Sequence, residues 1–286
     1  GLQAGRVADV TAGPITSAHI GEFERLALEA TGVRLSSVAR ERVAGALTRL
    51  MTERSEADAD RMLDQLRQPG SGTALTARLV GDLTTKETYL FRDPRQFDCL
   101  ADSLIPELIG HARSAGRKLR IWCAGCATGE EAYSLAMLLA EAKIEDAVVL
   151  ATDLSEAAVA TARRGSATDM RLAPDAGRWA PVVQRWIRDS DSGPVVAPEV
   201  RALVRFATHN AVRDEPPMGQ DLIMCRNVMI YLPPEGQRTL VDRLWDALLP
   251  DGLLLLGEAE LLHVMKHGFQ HVPCDRAIIY SKPKVT

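Results

Sequence analysis

Residues 123–130 read Cys-Ala-Gly-Cys-Ala-Thr-Gly-Glu. Gly125 and Gly129 permit a tight turn and a close backbone approach by a ligand. Set between a strand and a helix, such a turn offers the unpaired N–H groups of the helix N-terminus. Glu130 and Glu131 stand where a pyrophosphate would sit and would repel it, and the spacing is not G-x-G-x-x-G, so the pattern argues against dinucleotide binding. An adenosine with a cationic, amino-bearing tail suits the turn better; S-adenosylmethionine has that character. Asp153, 28 residues after Gly125, sits at a strand end, where open α/β sheets bind ligands. Its carboxylate can accept both hydroxyl hydrogens of a ribose, and it is equally suited to cap a helix beginning near Ser155.

These residues need a parallel sheet beneath them. The run 118–123 predicts a strand, 130–142 a helix, 148–152 a buried strand and 155–164 a helix. This alternation implies right-handed crossovers between parallel strands. Further strands are predicted over 221–225, 253–257 and 277–281, and a helix over 234–249. No convincing helix separates the last two strands, which fits an antiparallel pair. The segment 165–204, with Trp179, Trp186 and isolated valines, breaks the rhythm and reads as an inserted subdomain of short pieces.

Upstream the pattern is helical. Ile20, Phe23, Leu26 and Ala27 share a face that ends at Gly32. A second helix after Ser36 or Ser37 carries Val38, Val43, Leu47, Leu50 and Met51 inward and leaves Arg40, Arg42, Arg49 and Arg54 toward solvent. A third covers about 57–66, and Gln68-Pro-Gly-Ser-Gly72 reads as a linker. A helical domain over 16–75 and a second domain over 76–286 follow. With 286 residues, 46% hydrophobic and 25% charged, the composition is that of an ordinary globular protein. A net charge of -4 gives no support to nucleic-acid binding. No apolar run reaches the roughly 20 residues that span a bilayer, so membrane insertion is not expected, and no export signal is apparent. Five cysteines do not read as a disulfide framework and fit a reducing cytoplasm.

Three stretches together resemble signatures of the CheR methyltransferases: Thr88-Tyr-Leu-Phe-Arg92, Cys123 through Ser134, and Cys225-Arg-Asn-Val-Met-Ile-Tyr231. Their order and spacing fit, and the resemblance runs from about Ile20 to Lys282. It implies an α/β fold: a class I S-adenosylmethionine methyltransferase (Rossmann-like) sheet with a small N-terminal all-helical domain and an inserted β-subdomain. It also implies methylation of glutamate carboxylates on methyl-accepting chemotaxis receptors. The partner would be the receptor's cytoplasmic helical bundle, with its C-terminal tether peptide a further candidate. Carried over by position, Thr88 and Arg92 would contact the cofactor, Glu130 its amino-acid end and Asp153 its ribose. Asn210 and Ala211 would flank the adenine, and Arg226 and Asn227 would close the site, with Tyr231 nearby. The bland counterparts are a helix cap for Thr88, a surface ion pair for Arg92, a chain turn for Asn227 and core packing for Tyr231. Lys86 stands where the family usually has Asn. An ammonium there would repel a sulfonium unless it pairs with Glu87 or Glu130, which motivates an alternative: a cofactor-sensing or receptor-docking module with impaired turnover.

A glutamate carboxylate, with a reference pKa near ~4.3, is ionised at neutral pH and needs no general base. Catalysis would rest on alignment, with Arg92 and Tyr231 as the candidate catalytic groups. Arg40, Arg42, Arg49 and Arg54 are candidates to meet an acidic receptor helix, although such faces are usually only solvated. Cys123 and Cys126 lack the further ligands of a zinc site, and His263, His267 and His271, four apart, are interrupted by Gly268; no metal is expected at either.

Overall fold

The computed structural model describes residues 13–84, 87–260, 262, 267–274 and 277–284. It divides into two compact units, Gly1–Thr85 and Lys86–Thr286.

Among its described residues the first unit holds four helices: α1 (Ser17–Thr31), α2 (Ser37–Glu53), α3 (Ala59–Arg67) and α4 (Ser71–Leu83). Three have side-chain caps, from Thr16, Ser36 and Asp58, and α1 stops at Gly32 in the left-handed conformation. Phe23, Val43, Leu47, Leu50, Met51 and Met62 fill the core. Val38, expected inward, is 60% exposed, and Ala39 is buried in its place. The reason is angular: residue 39 lies four before Val43 on the same face, whereas 38 lies five before it. Of the Gln68–Gly72 stretch read as a linker, only Gln68, Pro69 and Gly70 form a turn; Ser71 and Gly72 open α4, a helix that the sequence did not predict. Gly72 is required there, since a Cβ would lie 2.4 Å from the Gln65 carbonyl oxygen.

In the second unit, α5 (Pro94–Cys99) passes through a π-helical turn (Leu100–Leu104) into α6 (Ile105–Ser114). Then follow β1 (Leu119–Ala124), α7 (Glu130–Glu141), β2 (Ala147–Asp153) and α8 (Glu156–Arg164). The insert holds a 3-10 turn (Gly177–Trp179), α9 (Ala180–Trp186), the antiparallel pair β3 (Ile187–Arg188) and β4 (Val195–Val196), and α10 (Pro198–Arg201). Its two ends are tied together: Val196 N–H donates to the Gly165 carbonyl and Ala167 N–H to that of Pro194, each at 2.8 Å. The chain resumes with β5 (Val204–Thr208), β6 (Gln220–Cys225), a 3-10 turn (Met229–Tyr231), α11 (Pro234–Ala247), β7 (Leu248–Leu256), β8 (Gln270–His271) and β9 (Ile279–Ser281).

The main sheet runs β5-β2-β1-β6-β7-β9-β8; its first five strands are parallel, and β9 is antiparallel to β7 as expected. β6 is buried at all six positions, as a central parallel strand must be. Its one charge, Asp221, is matched by Arg117 at 2.6 and 2.7 Å and by the Arg120 N–H at 2.9 Å. Registers Ala124↔Thr152 and Asp153↔Thr208 bring the ends of β1, β2 and β5 to one edge. Cys99 and Cys274, 175 residues apart, form a disulfide, so two of the five cysteines are bonded although no disulfide framework was expected. Among the described residues no helix is long and apolar enough to cross a membrane.

Candidate active site at the ends of the parallel strands

The turn after β1 is held by its neighbour: Gly125 and Cys126 N–H both donate to the Thr152 carbonyl, at 2.8 and 2.9 Å. Gly125 and Gly129 have φ of +82° and +101°, and Ala127 is also left-handed. On the Cβ side of both glycines the space is taken by the protein itself. A Cβ on Gly125 would lie 2.4 Å from Val228 Cγ2, and one on Gly129 2.9 Å from Ala162 Cβ. Gly125 therefore packs its own turn against the one that follows β6.

Asp153 binds both sides of this edge. Its Oδ2 accepts the Ala127 N–H and its Oδ1 the Ser155 N–H, each at 2.8 Å. The cap of α8 proper is Ser155, which accepts from Ala158 N–H, so the aspartate shapes the glycine turn instead. His209 N–H donates to the Asp153 carbonyl at 3.0 Å, which sets Asn210 and half-buried Ala211 beside it. Asn210 Oδ1 accepts the N–H groups of Val212 and Arg213, closing a local turn.

Glu130 and Glu131 diverge. Glu130 accepts the Thr128 hydroxyl at 2.7 Å, and burial raises its carboxyl. Glu131 meets Arg226 at 3.3 Å, and Arg226 also pairs with Asp93. Burial pushes Glu131 up to about 6 against the pull of Arg226 and, after it, Arg92. Asp93, Glu131 and, as shown below, Glu260 are the site-edge residues that sequence reading missed. Only the doubled glutamate after the glycine turn hinted at one of them.

Arg92 is held by its neighbours. Phe91 and Asp93 on either side both have positive φ, 54° and 56°, a conformation costly for residues other than glycine. Phe91 is fixed by its N–H to Ser134 Oγ at 2.8 Å and by stacking on Trp179 at 4.7 Å. Leu90 exchanges hydrogen bonds with the insert, donating to Arg171 and accepting from Ala173. Arg92 donates to the Glu87 carbonyl at 3.1 Å and has no carboxylate ion pair among the described residues, so the surface-pair reading does not hold. Thr88 is half-buried in an irregular segment and caps no helix. Lys86 lies outside the described residues. Asn227 is left-handed at φ 59°, and Tyr231 is half-buried, outside the core; it shares no hydrogen bond with Arg92.

Two buried polar atoms here lack a partner among the described residues, Glu131 Oε1 and Arg226 Nε. A free acceptor beside a free donor is what an amino acid's ammonium and carboxylate would satisfy. With Asp153 at the strand edge, the residues fit an adenosine carrying an amino-acid tail. Burial pushes the Cys123 and Cys126 thiols well up, which disfavours their thiolate forms. His271 lies in β8, so it does not continue a helical face from His267, and His263 lies outside the described residues.

Residues 86–278 match the family model described as "CheR methyltransferase, SAM binding domain". The chain belongs to the CheR methyltransferase family. It is 33% identical to chemotaxis protein methyltransferase 1 of Pseudomonas aeruginosa, over 92% of this chain and 98% of that one. Against the chemotaxis protein methyltransferase of Vibrio parahaemolyticus the figures are 31%, 95% and 99%. Against methyltransferase Cher2 of Pseudomonas putida they are 29%, 91% and 96%. As a member of this family the chain is an S-adenosylmethionine-dependent methyltransferase of chemotaxis, and its sheet is the class I methyltransferase sheet.

Proposed function

We propose that this enzyme methylates glutamate side chains in the cytoplasmic helical bundle of chemotaxis receptors, giving glutamyl methyl esters during sensory adaptation. When bound, S-adenosylmethionine supplies a methyl carbon already activated by its positively charged sulfur. Asp153 would take the ribose hydroxyls, and Glu130 with the buried Glu131–Arg226 pair the amino-acid end; Asn210 and Ala211 would flank the base, and Asn227 would close the site on the cofactor. Arg92 would orient the incoming carboxylate toward that methyl carbon. No proton moves, so no base is required. Tyr231 is the candidate hydrogen-bond donor to the same carboxylate.

The observation that carries this reading is Arg92: an arginine set between two left-handed residues, electrostatically felt by Glu131, yet without a carboxylate of its own among the described residues. Such a cation at the site edge suits an anionic substrate. On the helical unit, Arg40 is paired with Glu24 and Arg42 bonds the carbonyls of Asp82 and Leu83. Arg49 and Arg54 have no carboxylate partner among the described residues and are the better candidates to meet an acidic receptor helix. We place the enzyme in the cytoplasm, where that bundle lies, and keep the receptor's tether as a candidate ligand of the insert.

The test is transfer of radiolabelled methyl from S-adenosylmethionine to receptor-containing membranes. Label that is released by mild alkali supports a carboxyl ester. Alkali-stable label sinks the glutamate assignment, and binding of S-adenosylhomocysteine without any transfer points to the docking-module alternative.

A further inference from the structure

The turn after β6 bears two consecutive residues that our functional reading assigns to the cofactor, Arg226 and Asn227. It is not a relaxed turn. Asn227 is left-handed, and the next residue pushes its side chain into the space left by Gly125. Something must hold it, and the hydrogen bonds name the group. Glu260 Oε2 accepts the Asn227 N–H at 2.7 Å and the Gly257 N–H at 3.0 Å, while Oε1 accepts the Met229 N–H at 2.7 Å.

Glu260 is 3% exposed and has no cationic partner among the described residues. Burying an ionised carboxylate without a countercharge is costly unless hydrogen bonds replace its water. Here three main-chain donors do so, two from the turn and one from the end of β7. A glutamine could not substitute, because its amide nitrogen would face N–H groups as a second donor. Gly257 belongs to the same arrangement: a Cβ there would lie 2.8 Å from Glu260 Oε2 and 3.2 Å from both Asn227 N and Nδ2. Arg226 is tied from the other side, by Asp93 and Glu131. Three carboxylates thus clamp two adjacent residues, the first by its side chain and the second by its backbone.

We infer that Glu260 is a positioning residue: it fixes the left-handed turn so that Asn227 presents its amide to the cofactor. The inference rests on the reading of Asn227 as a cofactor contact, and the experiment separates the two. S-adenosylhomocysteine affinity is measured by calorimetry, well below the melting temperature, for the wild type, N227A, E260Q and the E260Q/N227A double variant. Each single change is expected to weaken binding roughly tenfold, the order expected when a buried hydrogen bond is lost. The double variant is expected to bind no worse than the weaker single one, because once the turn is released Asn227 no longer contributes. A loss of stability alone would not produce that coupling. Should E260Q fail to fold, G257A takes its place in the same cycle, since it presses on the carboxylate and on Asn227 without removing the charge. If N227A weakens binding but the two losses multiply, Glu260 does not act through Asn227 and the inference is overturned alone. If N227A binds like wild type, the assignment of Asn227 falls and takes the inference with it.

Discussion

Arg25 in the helical unit and Arg226 in the sheet unit each hold a pair of carboxylates, and the outcomes are opposite. In the helical unit, Arg25 reaches Glu22 at 2.6 Å and Glu29 at 2.5 Å with half its side chain exposed. In the sheet unit, Arg226 reaches Asp93 and Glu131 with 2% exposed. Hydrogen bonds from Arg25, and then from Arg67, hold Glu22 down at about 2. Glu131, next to an equally charged partner, is pushed up to about 6 because desolvation outweighs the attraction. An ion pair in water settles its carboxylate; a buried one leaves its carboxylate poised to change state. The first arrangement is a surface, and the second is a site that a charged ligand can complete.

The comparison breaks most sharply at Arg226. R226M leaves Glu131 and Asp93 without their cation, and should lower the unfolding free energy by about 3–5 kcal/mol and abolish measurable S-adenosylhomocysteine binding. Urea unfolding and calorimetry read the two effects. R25M should leave that affinity unchanged. If both variants lose affinity alike, the distinction between surface and site is wrong.

A smaller effect should appear on acidification. The ammonium of the ligand favours ionised Glu131, so binding should weaken as pH falls through about 6, approaching tenfold per pH unit below it, with a proton released on binding in that range. E131Q should flatten the profile. The stability consequences of the two carboxylates run in opposite directions. Glu131 has its folded pKa raised from 4.5 to about 6, so its contribution to stability falls by about 2 kcal/mol as pH rises through that window. Glu22 is lowered from 4.5 to about 2, so its contribution is present above 4.5 and is lost as pH falls toward 2.

The smallest effect belongs to Glu22. E22Q should cost under roughly 1 kcal/mol in low salt and almost nothing in high salt, because exposed pairs are screened. A salt-independent loss would mean that this network is more than a solvated face.

The strands carrying the site were legible because buried parallel strands read as continuous apolar runs ending in chemistry: 119–124 at Gly125, 147–153 at Asp153 and 220–225 at Arg226. The α5–α6 stretch went unread, although Phe97, Leu100, Leu104, Leu108 and Ala112 recur at three- and four-residue steps on one helical face; its π-helical turn leaves no mark on that spacing. Asp93, Glu131 and Glu260 escaped for a physical reason. Carboxylates in sequence look solvated by default, and only the packed fold shows that these three have arginine or main-chain donors in place of water. Gly125 was recognised as a turn residue, but its crowding partner lies 103 positions away in Val228. Cys99 and Cys274 are likewise joined only by the fold.

The paired hydrogen bonds that tie Gly165 to Val196 and Ala167 to Pro194 have a bearing on how this family can diversify. The chain leaves the end of α8 and returns to it at nearly the same point before crossing to β5, so whatever is strung between need not stretch or compress the strands. Such a stem tolerates exchange: a longer, shorter or foreign recognition segment could be grafted onto it while β2 and β5 stay in register. Specificity could then drift in the insert without disturbing the methyl-transfer machinery.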